Sequence, residues 1–398
     1  MPMNSELKPK IRFKGFTDDW EQRKLNNMCS IITKQTGFDY SATIKPSLVE
    51  HKIPNSYSFI QNKDFDGLNI NLNTDFYIPK NIADQFPKIT LDTPSLLISI
   101  SGKIGNVGFY SFKNKAFIGG AVGICKLINP DDGILSTYEL QSEYGQKYFQ
   151  SLIKASSHAN ITVEDIRNIE LILPKNSKER SNISKFLLNI DNLITLHQRK
   201  CDKLVELKKS LLEKMFPQNN SVIPEIRFKG FTDDWEQRKL NQFSKYITSN
   251  KTASDIVSDG LYDLYDANNI IGKINNDVIK EEYITIIKDG SGVGKVRRLP
   301  KNTLFIGTMG GIIAQNSNID FIYCNLLKTD FTKEINGATI PHVYYSSYGN
   351  NEYYVPSLDE QNKIGELFTH LDNLITLHQR KHDKLNKIKQ SLLNDMFV

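Results

Sequence analysis

The polar and apolar positions of this chain follow two rhythms, each of which occurs twice. Beyond Ile183 a seam runs through Leu187, Ile190, Ile194, His197, Cys201, Leu204, Leu211 and Met215, in alternating steps of four and three, with Lys208 at its one gap. Such a heptad seam needs a continuous helix, ~50 Å long over this stretch, with one stripe that must find a partner. The same seam returns at Ile364, Phe368, Leu371, Ile375, His378, His382, Leu385, Leu392 and Met396. The pattern therefore predicts two long helices that pair with each other.

The second rhythm is short. Residues 27–174 carry β-type runs at 56–60, 96–100, 107–110, 116–118, 123–128 and 169–173, broken by Gly, Asn and Pro, with a helical interval over 137–153. This predicts an α+β domain with a largely antiparallel sheet. Residues 242–356 repeat these events in the same order. Gly105-Asn-Val107 matches Gly294-Lys-Val296, Phe117-Ile-Gly119 matches Phe305-Ile-Gly307, and Pro174 matches Pro356.

The frame around these domains is repeated almost letter for letter. Residues 11–26 recur as 226–241, and 191–200 recur as 372–381. The chain is thus two copies of one unit, with five segments: 1–26, 27–174, 175–241, 242–356 and 357–398. Residues 1–9 read as a loose leader. A pseudo-two-fold relation would pair the helices antiparallel, place the two domains at opposite ends, and bring the termini together. The run Thr17-Asp-Asp-Trp-Glu21 predicts a helix start. Its Trp20, like Trp235 in the second copy, serves either a docking element or a pin that fastens the segment to its own domain.

Composition narrows the class. Of 398 residues, 39% are hydrophobic and 24% charged, enough for two cores. No apolar run spans a bilayer and the leader lacks a signal-peptide core, so a cytoplasmic protein with no membrane partner is expected. Four scattered cysteines, Cys29, Cys125, Cys201 and Cys324, have neither disulfide nor zinc spacing. The net charge of +5 suits a polyanion without requiring one. None of the fourteen prolines adjoins another, so the Asn/Asp-Pro-Pro-aromatic loop of an adenine methyltransferase is missing. Gly290-Ser-Gly-Val-Gly-Lys295 lacks the spacing of a phosphate loop, and Pro130-Asp131 has no nearby Glu-x-Lys to complete a nuclease site. In an antiparallel pair, His197 and Cys201 meet His378 and His382, either as a polar layer that fixes register or as a metal site.

The whole layout resembles the specificity subunit of type I restriction–modification enzymes. The resemblance is carried by the doubled Phe-Lys-Gly-Phe-Thr-Asp-Asp-Trp-Glu-Gln-Arg-Lys-Leu segment and by Pro356-Ser-Leu-Asp-Glu-Gln361 leading into Leu371-Asp-Asn-Leu-Ile375. The Gln198-Arg-Lys and Gln379-Arg-Lys helices add to it, as do the Leu-Leu-x-x-Met-Phe tails at 211–216 and 392–397. The first copy departs at Pro174-Lys-Asn-Ser-Lys-Glu-Arg180, which reads as lacking the Glu-Gln pair.

The resemblance implies a non-catalytic reader of double-stranded DNA. Each domain would read half of a bipartite site while the helices set the spacing. Two modification subunits would bring S-adenosylmethionine, and restriction subunits would join for cleavage. No cofactor is expected in this chain, S-adenosylmethionine, ATP and Mg being implied for the partner subunits. The alternative is a coiled-coil scaffold that does not read DNA. Loop position and chemistry nominate Gln61, Asn62, Lys63, Lys103 and Asn106 as DNA contacts in the first domain. In the second they nominate Asn268 and Asn269 beside Asp266, Lys295, Arg297 and Arg298, and Gln315 and Asn316 beside Asn318. Candidate partner contacts are Trp20, Trp235, Arg199, Lys200, Arg380 and Lys381.

Overall fold

In a computed structural model, residues 8–35, 39–155, 160–218, 221–275, 277–290, 292–337 and 341–397 are described. Most of the expected leader (1–7), Asn219 and Asn220 of the central junction, Ser291 of the Gly-rich turn and Val398 lie outside them. Two compact units form, Met1–Leu196 with Lys381–Val398, and His197–Arg380. Each takes part of both long helices, Ser177–Lys214 and Leu358–Met396.

In the first unit a four-stranded antiparallel sheet runs in the order Cys29–Lys34, Val122–Leu127, Ser95–Ser99, Val107–Tyr110. A second sheet runs Tyr77–Pro79, Ser56–Ile60, Ala116–Ile118, Thr90–Leu91, and its central pair is parallel. Helices Asp132–Gln141 and Glu143–Ala155 fill the predicted helical interval. The second unit repeats the scheme. Its main sheet runs Ser244–Thr248, Met309–Ala314, Tyr283–Ile287, Val296–Leu299. Its smaller sheet has three strands, Ile270–Ile274, Tyr262–Tyr265 and Leu304–Phe305, again with one parallel pair. The place of Thr90–Leu91 is taken there by a single antiparallel bridge, Ile279 with Thr303. The class is α+β.

The doubled segment departs from the helix-start expectation. Glu21–Lys24 is a strand, antiparallel to Glu170–Leu173, and Glu236–Lys239 pairs with Glu352–Val355 in the same way. Only a single turn, Leu25–Met28, follows in the first copy. Burial decides this. Trp20 and Trp235, 1% and 3% exposed, lie just ahead of the two strands and are held in the core while the strand residues after them stay partly or fully exposed.

What the tryptophans bury against shows why the tails are repeated. Phe397 meets Trp20 edge-on at 6.2 Å, and Phe216 meets Trp235 at 6.0 Å. The Ile11 amide donates to the Asp395 carbonyl at 3.0 Å, and the Ile226 amide to the Lys214 carbonyl at 2.9 Å. Each long helix therefore ends against one copy of the doubled segment. The C-terminal tail closes on the N-terminal repeat, as the pseudo-two-fold requires.

A buried ion pair locks each of these junctions. Arg12 grips Glu179 through two hydrogen bonds of 2.6 and 2.9 Å, and Arg227 grips Glu360 through two of 2.8 Å. Glu179 and Glu360 are thus counterparts, which corrects the reading that the first copy lacks the Glu-Gln pair. Only the glutamine has changed. Gln361 donates to the Pro356 carbonyl at 2.9 Å, while Arg180 donates to that of Pro174 at 2.7 Å and pairs with Asp132 at 3.2 Å.

The seam reads as expected and its direction is antiparallel. In the first unit Asp191 faces Lys389 at 2.7 Å; in the second, His197 faces His378 at 2.8 Å and Lys208 faces Asp372 at 2.6 Å. Partners descend along one helix as they ascend along the other. The gap at Lys208 is therefore an ion pair, repeated with roles exchanged at Lys389. Asp191 also accepts from the Tyr138 hydroxyl at 2.7 Å. On the same helix as Tyr138, burial raises the Glu139 carboxyl well above the usual range, while the Ile172 amide that donates to it acts in the opposite direction.

Of the expected four-group layer, the pairing of the two seam histidines forms within the second unit. His197 and His378 share a contact, but Cys201 faces the Gln379 amide oxygen at 3.7 Å and His382 lies beside Asp383 and Asn386. Among the described residues no cluster of three or more His, Cys, Asp or Glu is placed to hold a metal ion.

Candidate nucleic-acid interface

Backbone bonding shows that one turn has been built twice. In the first unit Gly105 donates to Ser99 and Ser99 to Asn106; in the second, Gly294 donates to Ile287 and Ile287 to Lys295. Ile161 donates to Ile100, and Val343 to Lys288. Gly102 and Gly290 open the two turns at φ +72° and +87°, a left-handed backbone that a side chain would strain. The bonds make Asn106 the counterpart of Lys295, and Ser101 that of Asp289. A shared backbone carries different polar groups.

In the first unit the candidates separate. The Asn106 amide donates to the carbonyls of Asn62 and Phe65 at 3.1 and 2.6 Å, so it braces the turn and is withdrawn as a base contact. Asn62 donates to the Ser101 carbonyl at 3.2 Å, which places it in the same brace, and the Gln61 backbone N–H donates to the Asp64 carboxylate at 2.9 Å. Lys63 pairs with Asp75 on the surface. Lys103 is exposed at the rim of a cleft of about 360 Å³ lined by Gln141, Gln146, Asn386 and Lys389.

In the second unit the basic residues divide sharply. The Arg297 guanidinium lies over the Tyr265 ring at 5.0 Å and donates to the Asn268 carbonyl at 2.9 Å, while Lys295 reaches the Asn268 side chain at 3.3 Å. The Asp266 carboxylate accepts from the amides of Asn268 and Asn269 at 2.7 and 2.6 Å, which shapes that loop and leaves both residues exposed. Arg298 points elsewhere. It pairs with Glu282 at 2.5 Å and with Asp320, and reaches the Thr369 hydroxyl at 3.4 Å, so two carboxylates already neutralise it. It is withdrawn as a DNA contact. Gln315 and Asn316 are exposed, whereas Asn318 is spent capping the helix Ile319–Lys328.

The two units thus share one backbone scheme at the strand end. The family model for the type I restriction modification DNA specificity domain matches residues 17–206 and 232–387. The chain belongs to the type I restriction–modification specificity family. It is 27% identical over 186 residues to the type I restriction enzyme MjaVIII specificity subunit of Methanocaldococcus jannaschii, a match that spans 42% of each chain. A second relative from that organism, named for the MjaX specificity subunit, is 21% identical over 95% of this chain and 92% of its own. Among solved structures, the S subunit of a type I restriction–modification system from M. genitalium shares the fold, with TM-score 0.67 and 16% identity over 98% of this chain and 99% of that one.

For a specificity subunit the partner-facing candidates also divide. Trp20 and Trp235 are core residues packed on Phe397 and Phe216, a placement that accords with the pinning role. Arg199, Lys200, Arg380 and Lys381 are all exposed on the long helices, away from the seam. Sequence reasoning missed the Arg12–Glu179 and Arg227–Glu360 pairs. The signal was available, since the arginines lie within the letter-for-letter repeat.

Among the described residues no helix is long and apolar enough to cross a membrane.

Proposed function

We propose that this chain is the non-catalytic reader of a bacterial, cytoplasmic type I restriction–modification complex, each unit reading one half of a bipartite DNA site. The observation that carries this reading is the strand-end turn built twice on one bonding scheme with different side chains, Ser101 in the first unit against Asp289 in the second. A common scaffold with changed donors and acceptors is what two different half-sites ask for. Two modification subunits supply S-adenosylmethionine and the adenine chemistry, restriction subunits supply ATP- and Mg-dependent cleavage, and Arg199, Lys200, Arg380 and Lys381 offer charge for docking them.

Selection from a randomised duplex pool by this chain with its modification subunits tests the reading. The expected enrichment is two short fixed blocks separated by an unspecified gap of constant length. One uninterrupted block, or none, contradicts it. Arg297→Ala is expected to weaken binding and relax preference at a single position by about 1–3 kcal/mol. A uniform loss across sequences, with shallower salt dependence, reassigns Arg297 to a phosphate.

The long helices set the gap in this account. Inserting one heptad after Arg199 and another after Arg380 lengthens both helices by ~10 Å without breaking the seam, close to three base pairs at ~3.4 Å each. Mapping of methylated adenines is expected to return the same half-sites about three base pairs farther apart. An active insertion variant with the original gap would assign the spacing to the modification subunits.

A further inference from the structure

At the same strand end of the second unit lies a group that sequence reasoning passed over. His342 Nδ1 is 2.8 Å from the Asp289 carboxylate, and the backbones of these two residues form an antiparallel bridge. Buried Val343 anchors the segment by donating to the Lys288 carbonyl at 2.9 Å, and Gly290 donates to the Pro341 carbonyl at 3.0 Å. Tyr344, half exposed, lies nearly parallel to the imidazole, with centroids 6.0 Å apart and planes 16° apart. Lys288 sits on the other oxygen of Asp289, at 2.5 Å. The imidazole is therefore held from two sides while its side chain stays about a third exposed (32%).

We infer that His342, oriented by Asp289, is a base-reading residue of the second unit, an inference that rests on the DNA-reading function proposed above. A carboxylate at Nδ1 holds the proton there and leaves Nε2 as the ring's acceptor. In the major groove an acceptor at a fixed position selects a base with an exocyclic amino group, cytosine or adenine. The first unit supports the assignment. The matched bonds of Ile161 and Val343 make Asn160 the counterpart of His342, so the Asp–His pair of the second unit is replaced there by Ser101 and exposed Asn160. Two readers that share a backbone differ at these matched positions.

The test is enrichment from a randomised duplex pool by the full chain with its modification subunits. His342→Ala is expected to leave one half-site intact and to lower preference at a single position of the other by roughly tenfold or more. Asp289→Asn, which disturbs His342 without removing it, is expected to weaken preference at that same position. His342→Asn installs the first unit's residue and is expected to change the base preferred there, and it serves if the alanine variant fails to assemble. An unchanged motif in the His342 variants overturns the inference while leaving the two-reader function standing. Failure of the unaltered complex to enrich any motif would instead remove the function beneath it.

Discussion

Arg227→Ala is expected to destabilise the second unit by about 3–5 kcal/mol, because it leaves the Glu360 carboxylate charged, almost fully buried and without its partner. For a unit of this size that corresponds to a fall in melting midpoint on the order of 10 °C. Arg12→Ala should have a similar effect on the first unit, since Glu179 is fully buried. The companion experiment separates a stranded charge from a stabilising pair. Arg227→Met with Glu360→Leu removes both charges at similar volume and is expected to come out near neutral, as buried pairs replaced by packed apolar residues commonly do. Urea unfolding followed by tryptophan fluorescence reads both, since Trp235 sits in the affected core. A loss below about 1 kcal/mol for Arg227→Ala would mean that water reaches the pair, in the range of exposed salt bridges.

The consequence of losing this junction is larger than its energy suggests. Arg227 lies in the doubled segment and Glu360 in the first turn of a long helix, so the pair fixes where the helix leaves the domain. If the helices set the gap between half-sites, that exit angle belongs to the specificity of the protein.

Much of this architecture was legible because its signals are local or repeated. The strands at Ser56–Ile60, Val107–Tyr110 and Ala116–Ile118 stand where the short apolar runs predict them, each bounded by Gly, Asn or Pro. The seam was legible for the same reason, including the gap at Lys208, although its meaning was not. The partner that turns the gap into an ion pair, Asp372, is supplied by the other helix.

The misreadings came where a distant residue decides. Thr17-Asp-Asp-Trp-Glu carries a genuine capping pattern, but Trp20 gains more by burial against Phe397, far along the chain, and the strand Glu170–Leu173 takes the backbone. Glu179 was overlooked because the spacing from Pro174 is one residue longer than that from Pro356 to Glu360. Arg297 and Arg298 are neighbours in sequence and opposites in environment. Alternation along Val296–Leu299 turns one toward Tyr265 and the other toward Glu282 and Asp320, a distinction set by those partners and not by the residues themselves. His342 gave no sign at all, since its partner Asp289 lies on another segment.

The largest functional effect is expected from exchanging a whole reader. Residues 27–174 begin just after the first doubled segment and end where the central helix is about to start, so a related domain with a different half-site can be joined at boundaries that the internal repeat marks. The Trp20–Phe397 contact and the Arg12–Glu179 pair both lie outside the exchanged stretch and would be retained. The decisive measurement is a genome-wide map of methylated adenines in cells that carry the exchanged chain with the native modification subunits. Two independent readers predict one half of the recognised sequence replaced, with the other half and the gap between them unchanged. A map in which both halves changed, or in which neither did, would contradict the account.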